Sequence, residues 1–376
     1  MRTSLETTNT AAAPDQATIR ALNSLAVKGL APMFDPQNQV FCMRLTLTGE
    51  GLRREGLSPR YTLMTLMGLH RGEEYGLRNP FDSQSIMNGL LNNTAWLDNI
   101  GDLGLLLWCC ALMAPERYSE VYRDLNVASA LDRYRDAREG RTMEVAWLLA
   151  GLAHGELAGR GNTPGLGDLA HQSFGVLKKN QGRNGIFGHQ LTERGITGRL
   201  RGRLGSFADQ VYPIYAFSKF GRAFGVSEAL QMAQVCGETI CKVQGPLGQW
   251  WWHYDSKTGR VIGKYPVYSV HQDAMAPMAL YALGESTERD YSVSIFKGLQ
   301  WIYGKNELNR NLCETSKSIV WRSIYLSKPA TYCKEALSLL GFGPQSGTPV
   351  GLRVRFEDRP YHFGWVLYAF AHYGFA

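Results

Sequence analysis

QGPLGQWWWHYDSKTGRVIGKYPVYSVHQDAMAP, residues 244–277, joins two helical stretches of opposite character. The stretch before it, 227–243, is amphipathic, and the one that closes it, 270–283, is apolar almost all round. A long connection without helical periodicity is more often functional than a plain link. Trp250, Trp251 and Trp252 cannot all face one core from one local segment, so at least one is expected to line a cavity or an interface. With His253, Tyr265 and Tyr268 they read as a ligand-facing rim, because polar groups accompany the rings. The alternative is an aromatic plug sealing the end of a helical domain. His271, Gln272 and Asp273 stand where the next helix begins.

The same alternation runs through the chain. Amphipathic stretches at 17–34, 83–97, 118–139, 167–179, 227–243 and 289–303 are separated by more apolar ones. The latter cover 61–71, 100–113, 142–157, 206–224 and 270–283, and stretches 318–326 and 361–373 are also rich in buried types. Residues 40–47 alternate like a short strand, and Ser58 with Pro59 marks a helix start. A helix that is apolar all round must be buried on every side, and an amphipathic one only on its inner stripe. Two concentric rings satisfy both demands. The predicted architecture is therefore all-α, an (α/α)6-type toroid with long aromatic loops. A flexible leader, 1–16, precedes a single toroid domain, 17–376. An open solenoid would need capping repeats, which the sequence does not show.

Each apolar stretch carries one polar residue near its start: Arg60, Asp102, Glu144, Asp209, Asp273, Arg322 and His362. The first three are spaced by about 42 residues and the next two steps by about 65, as a repeated hairpin with longer loops would give. In a toroid the inner helices run in one direction, so these residues would ring one mouth. The helix dipole and capping account for a single acid there. They do not account for Arg60, Arg322 or His362, whose charge is disfavoured at that end. A mixed ring is expected of a site, where clustered acids split their pKa values into an acid and a base. The candidate catalytic residues are Asp273, Asp209, Glu144, Asp102 and His271, with Asp209 and Asp273 as paired carboxylates. The candidate substrate-binding residues are Trp250, Trp251, Trp252, His253, Tyr212, Tyr265, Tyr268, Gln272, Arg60, Arg322, His362 and Trp365. Segments ADQVYPIYA and HQDAMAPMA share Asp/Gln adjacency and a following proline, as one repeat seen twice would.

The chain has 376 residues and is 44% hydrophobic, enough for a large core without staples. No apolar run reaches the roughly eighteen residues of a membrane span. The polar N-terminus has no signal-peptide core, which points to a cytoplasmic protein. Seven scattered cysteines read as reduced core residues, and no spacing suggests a metal, so no cofactor is expected. The net charge is +7, concentrated in 178–203. That stretch is a solvated loop, or it attracts an anionic substrate, an acidic polymer or a membrane surface peripherally. Nucleic-acid signatures are missing.

Two outer stretches end alike: KKNQGRNGIFGH at 178–189 and KVQGPLGQWWWHYD at 242–255. Both resemble the Q-x-x-x-G-x-(F/W) ending of hairpins in two groups of α/α toroids. One is the six-hairpin carbohydrate-active enzymes, such as unsaturated glucuronyl hydrolases and N-acylglucosamine epimerase-like proteins. The other is the terpenoid cyclase and prenyltransferase toroids. The resemblance covers two hairpins closely and the rest in architecture. The first group implies a glycoside hydrolase or related acid/base enzyme acting on a carbohydrate, here an acidic sugar or oligosaccharide. The second implies a non-standard terpenoid cyclase, since the DxDD motif of the class II enzymes is missing. A non-catalytic toroid binding a glycan or a protein is the third reading.

Overall fold

The computed structural model describes residues 16–136, 140–191, 202–326 and 349–376. All of the expected leader but Gln16, which opens the first helix, and part of the basic stretch, with Arg194, Arg199 and Arg201, lie outside the described residues, as does Cys333. Among the described residues six inner helices form a closed ring: α2 (Pro59–Glu74), α4 (Ile100–Met113), α7 (Thr142–Gly155), α9 (Ala208–Phe224), α11 (Ala276–Thr287) and α13 (Pro360–Phe370). Each follows an outer layer: α1 (Gln16–Leu30), α3 (Ser83–Asn92), α5 and α6 (Tyr118–Asp124, Val127–Asp136), α8 (Leu166–Lys178), α10 (Ser227–Lys242) and α12 (Ser292–Ile302). This is the (α/α)6 toroid.

Burial follows the sequence pattern. In α7 every residue from Thr142 to Gly155 except Met143 is buried. Outer helix α10 buries only Ala229, Ala233, Cys236, Gly237 and Ile240, one stripe at helical spacing. Neighbouring inner helices touch backbone to backbone through glycine. A Cβ on Gly104 would collide with the Leu148 backbone, and one on Gly68 with Gly364. The second contact joins the first inner helix to the last and closes the ring. Asn23 of α1 locks the same seam, donating to the carbonyls of Phe370 and Gly374 at 2.8 Å each.

Two local expectations are corrected. The amphipathic stretch 118–139 is not one helix; it breaks at Asn126, which takes a positive φ of 47°. Stretch 318–326 is not an inner helix but two short strands, Ile319–Val320 and Ser323–Tyr325. Its β-branched and aromatic residues favour extended backbone. The second strand pairs with Val267–Tyr268 and with Arg353–Arg355. Arg322 therefore reaches the mouth from the link between two strands, not from a helix start.

The motif shared by 178–189 and 242–255 has a physical meaning. Gln181 donates to the carbonyls of Gly185 and Met232; Gln244 donates to those of Gly248 and Ser294. Each ties a turn to the next outer helix. The aromatic residue that ends the motif is then gripped from the inner ring. Phe187 N–H donates to Gln210 Oε1 (2.8 Å), and Gln210 Nε2 donates back to Phe187 O (3.0 Å). Gln272 does the same for Trp250, at 3.0 and 3.4 Å. The two hairpins thus repeat the same pair of side-chain pins.

Candidate active site

The six inner helices point their N-termini at one mouth, where the helix dipoles leave partial positive charge. Arg60, Asp102, Glu144 and Asp209 lie in the first turns of their helices. Asp273 lies in the wide turn His271–Met275 that leads into α11, and His362 in the first turn of α13. Ser58 Oγ caps α2, and Asn99 Oδ1 caps α4 by accepting from Gly101 and Asp102.

The mouth holds a cavity of about 180 Å³. Its wall is made by Arg60, Tyr61, Met64, Met143, Trp147, Ala208, Tyr212, Trp252, Tyr268, His271, Met275, Arg322 and Tyr361. Two guanidinium groups and several aromatic rings face it, and among the described residues no carboxylate lines it. The acids stand one layer back. Asp102, 1% exposed, holds Arg60 in a two-pronged ion pair, Nε to Oδ1 at 2.5 Å and Nη2 to Oδ2 at 2.9 Å. That bond raises the Arg60 pKa. Glu357 lies 3.1 Å from Arg322 Nε, and Arg322 sits 4.9 Å over the Tyr268 ring.

Asp209 and Asp273 are fully buried. Asp209 Oδ2 meets His189 Nδ1 at 2.8 Å and accepts from Ser206 N–H and Oγ. This bond raises the His189 pKa against the cost of burial. Asp273 Oδ1 meets His362 Nε2 at 2.7 Å, while His362 Nδ1 lies 3.2 Å from Asp358 Oδ1. Burial opposes a charged His362, but the two carboxylates outweigh it and hold its pKa up at about 10. Burial raises the Asp273 carboxyl, and His362 works against that rise. One oxygen of each acid, Asp209 Oδ1 and Asp273 Oδ2, is buried without a hydrogen-bond partner among the described residues. Glu144 is buried, with Arg141 at 3.8 Å.

The other sequence candidates divide between wall and core. Only the third tryptophan faces the cavity; Trp252 stacks on His271 at 5.9 Å. Trp250 is fully buried against Phe207, and Trp251 packs on Tyr265 under Lys264. His253 sits beside Trp252 on the strand His253–Asp255. Tyr265 donates to Glu307, and Trp365 donates to the Tyr212 hydroxyl at 3.1 Å. Gln272 spends its amide on Trp250 and Tyr268. Burial, then the Arg322 charge, drives His271 down to about 3, so it is a neutral imidazole at the cavity wall.

Sequence reasoning missed Tyr61, Trp147, Tyr361, Arg359 and His189. Two of them adjoin chosen residues: Tyr61 follows Arg60, and Tyr361 precedes His362. Adjacent residues in a helix's first turn can both flank a mouth, and that was the available signal. His189 ends the quoted NGIFGH segment.

Six inner and six outer layers around a cationic, aromatic mouth define an (α/α)6 toroid with a pocket at its inner-helix N-termini. No protein-family model and no curated protein matches the chain. Solved structures match it over nearly its whole length. An unsaturated glucuronyl hydrolase specific for heparin is 15% identical, with 94% of this chain and 96% of that one covered and a TM-score of 0.57. The unsaturated glucuronyl hydrolase of Streptococcus agalactiae is 13% identical, with 98% and 96% covered and a TM-score of 0.60. A sugar epimerase from a ruminal bacterium is 10% identical, with 96% and 99% covered and a TM-score of 0.61. At such identities the likeness establishes the fold, and the chemistry has to be argued from the mouth.

Proposed function

We propose that the chain is a carbohydrate-active enzyme that takes an acidic sugar in the mouth cavity and carries out an acid/base step on it. The carrying observation is the pair Arg60 and Arg322, both lining a cavity otherwise walled largely by aromatic rings. Guanidinium groups bind a carboxylate through short charge-assisted bonds, and rings such as Trp147, Trp252 and Tyr268 suit the apolar face of a pyranose. The names of the similar structures, glucuronyl hydrolases and a sugar epimerase, support the substrate class. Hydrolysis by Asp209 and Asp273 has weaker support, because both lie behind the wall. The terpenoid-cyclase reading gains none: such a site wants a buried acid aimed into an apolar cavity, and here the cavity carries two cations. Among the described residues no helix is long and apolar enough to cross a membrane.

Calorimetric titration with glucuronate, glucose and a prenyl diphosphate tests the reading. Glucuronate should bind at least about tenfold more tightly than glucose, and Arg322→Ala should weaken it by roughly ten- to a hundredfold, the worth of a charged hydrogen bond. Equal binding of glucose and glucuronate, or preference for the diphosphate, would refute it. Tight binding of uronate oligosaccharides without turnover would favour the non-catalytic toroid.

A further inference from the structure

The wall of the mouth cavity contains few groups able to move a proton: Tyr61, Tyr212, Tyr268, Tyr361 and His271. They differ in what touches them. The Tyr212 hydroxyl accepts from Trp365, and burial raises its phenol. Burial likewise pushes Tyr361 up to about 12, against the pull of Arg322. His271 is stacked under Trp252 beside Arg322, which disfavours its taking up a proton. Tyr61 is the one of these whose oxygen accepts a hydrogen bond from a guanidinium: Arg359 Nη1 lies 2.8 Å away. That charged donor fixes the Tyr61 oxygen at the cavity wall.

Arg359 is itself fixed. Its Nε and Nη2 both bond Glu357 Oε1 at 2.9 Å, and the same carboxylate oxygen lies 3.1 Å from Arg322. One buried carboxylate thus sets the position of the arginine behind Tyr61 and of the arginine that faces the cavity. A carboxylate held by Arg322 and Arg60 would carry its neighbouring carbon into the wall that Tyr61 shares with Tyr361, whose rings lie 4.5 Å apart.

We infer that Tyr61 is the base that removes the proton from the carbon α to the sugar's carboxylate, with Arg359 as a positioning residue. The inference rests on the acidic-sugar reading above and narrows its reaction. Tyr61 phenolate takes the proton. The electron pair of the C–H bond passes into the carboxylate, whose added charge Arg60 and Arg322 hold. It then forms a double bond to the β carbon as the bond from that carbon to its oxygen breaks, and the departing oxygen receives the proton. Return of a proton to the opposite face of the α carbon instead would invert that centre. Both outcomes begin with the same deprotonation and need no oxidant or reductant.

The test is proton NMR of glucuronate and of a uronate oligosaccharide in deuterium oxide, with calorimetric binding measured in parallel. Wild type should exchange the α proton for deuterium or release an unsaturated product. Tyr61→Phe should bind glucuronate within about threefold of wild type yet lose exchange by at least roughly a hundredfold, the usual scale of general base catalysis. Arg359→Lys should restore more exchange than Arg359→Gln, with binding unchanged in both. Wild type that binds glucuronate without exchanging the proton overturns the inference and leaves the binding reading standing. So does Tyr61→Phe with wild-type exchange, or, if that variant does not fold, Arg359→Gln with wild-type exchange. Wild type that binds no acidic sugar overturns the binding reading and the inference together.

Discussion

Replacing His362 by glutamine removes the cation between Asp273 and Asp358 and leaves two buried carboxylates facing each other. The imidazole titrates at about 10 in the fold against 6.5 for an ordinary histidine. At ~1.36 kcal/mol per pK unit, that gap is worth roughly 5 kcal/mol. Burial of Asp273, whose own pKa is raised, offsets part of it. Breaking a buried pair by removing one partner costs about 3–5 kcal/mol, which falls within that bound. Because the folded pKa lies above the unfolded one, the contribution is whole below about pH 6.5 and fades as the pH climbs to about 10. Urea unfolding of wild type and His362→Gln across that window measures it. The variant should be less stable by about 3–5 kcal/mol at the low end, and the difference should shrink steadily toward the high end. A difference that stays constant across the window would refute the charged triad, and so would a variant as stable as wild type.

Asp102→Asn should weaken glucuronate binding by loosening Arg60, and cost about 1–2 kcal/mol of stability, less than a fully buried pair because Arg60 is one-third exposed; calorimetry and urea unfolding read the two effects. Gln272→Ala should cost roughly 2–4 kcal/mol, since it strips the buried Trp250 backbone of its partner and leaves a cavity; a shift in tryptophan fluorescence should accompany it, and Gln210→Ala should cost a similar amount. Gly104→Ala should cost about 1–3 kcal/mol by forcing α4 and α7 apart, seen as a lower thermal midpoint, whereas Gly89→Ala on an outer helix, with open space beside it, should not lower that midpoint.

The ring was legible because burial writes itself into periodicity. A helix such as IGDLGLLLWCCALM has no polar face to offer water, so it must be inner, and the polar residue near its start stands out. The direction each side chain takes was not legible. Arg60 and Tyr61 are neighbours and both reach the cavity; Gln272 and Asp273 are neighbours of the cavity-lining His271 and neither lines it. Residues in one helical turn share an end of the helix but differ by about a hundred degrees around it, and sequence spacing does not say which of them the adjoining loop will cover. Arg322 and Glu357 meet where Arg322 N–H donates to Glu357 O beside the paired strands Ser323–Tyr325, Val267–Tyr268 and Arg353–Arg355, contacts long in sequence and short in residues. The loop that made the three tryptophans conspicuous turns two of them inward, and the sequence held no sign of which one would stay at the surface of the cavity.

On the proposed reading, the acids that hold the arginines support the site rather than carry its chemistry. A carboxylate at a helix N-terminus is favoured by the dipole and by free N–H groups, and Asp102 sits there at 1% exposure. Fixed there, it is a template for a guanidinium, and Arg60 lies on it with both prongs engaged. Glu357 plays the same part for Arg322 and Arg359. Each arginine is thereby held without spending side-chain freedom when a ligand arrives, which lowers the entropic cost of binding. The guanidinium groups of Arg60 and Arg322 also stand between these carboxylates and the cavity, where a bound uronate would be repelled by bare acids. Six helix N-termini and two guanidiniums then face the mouth, with their counter-charges behind. A ring built the other way, with acids forward, would repel the acidic sugar proposed as its ligand.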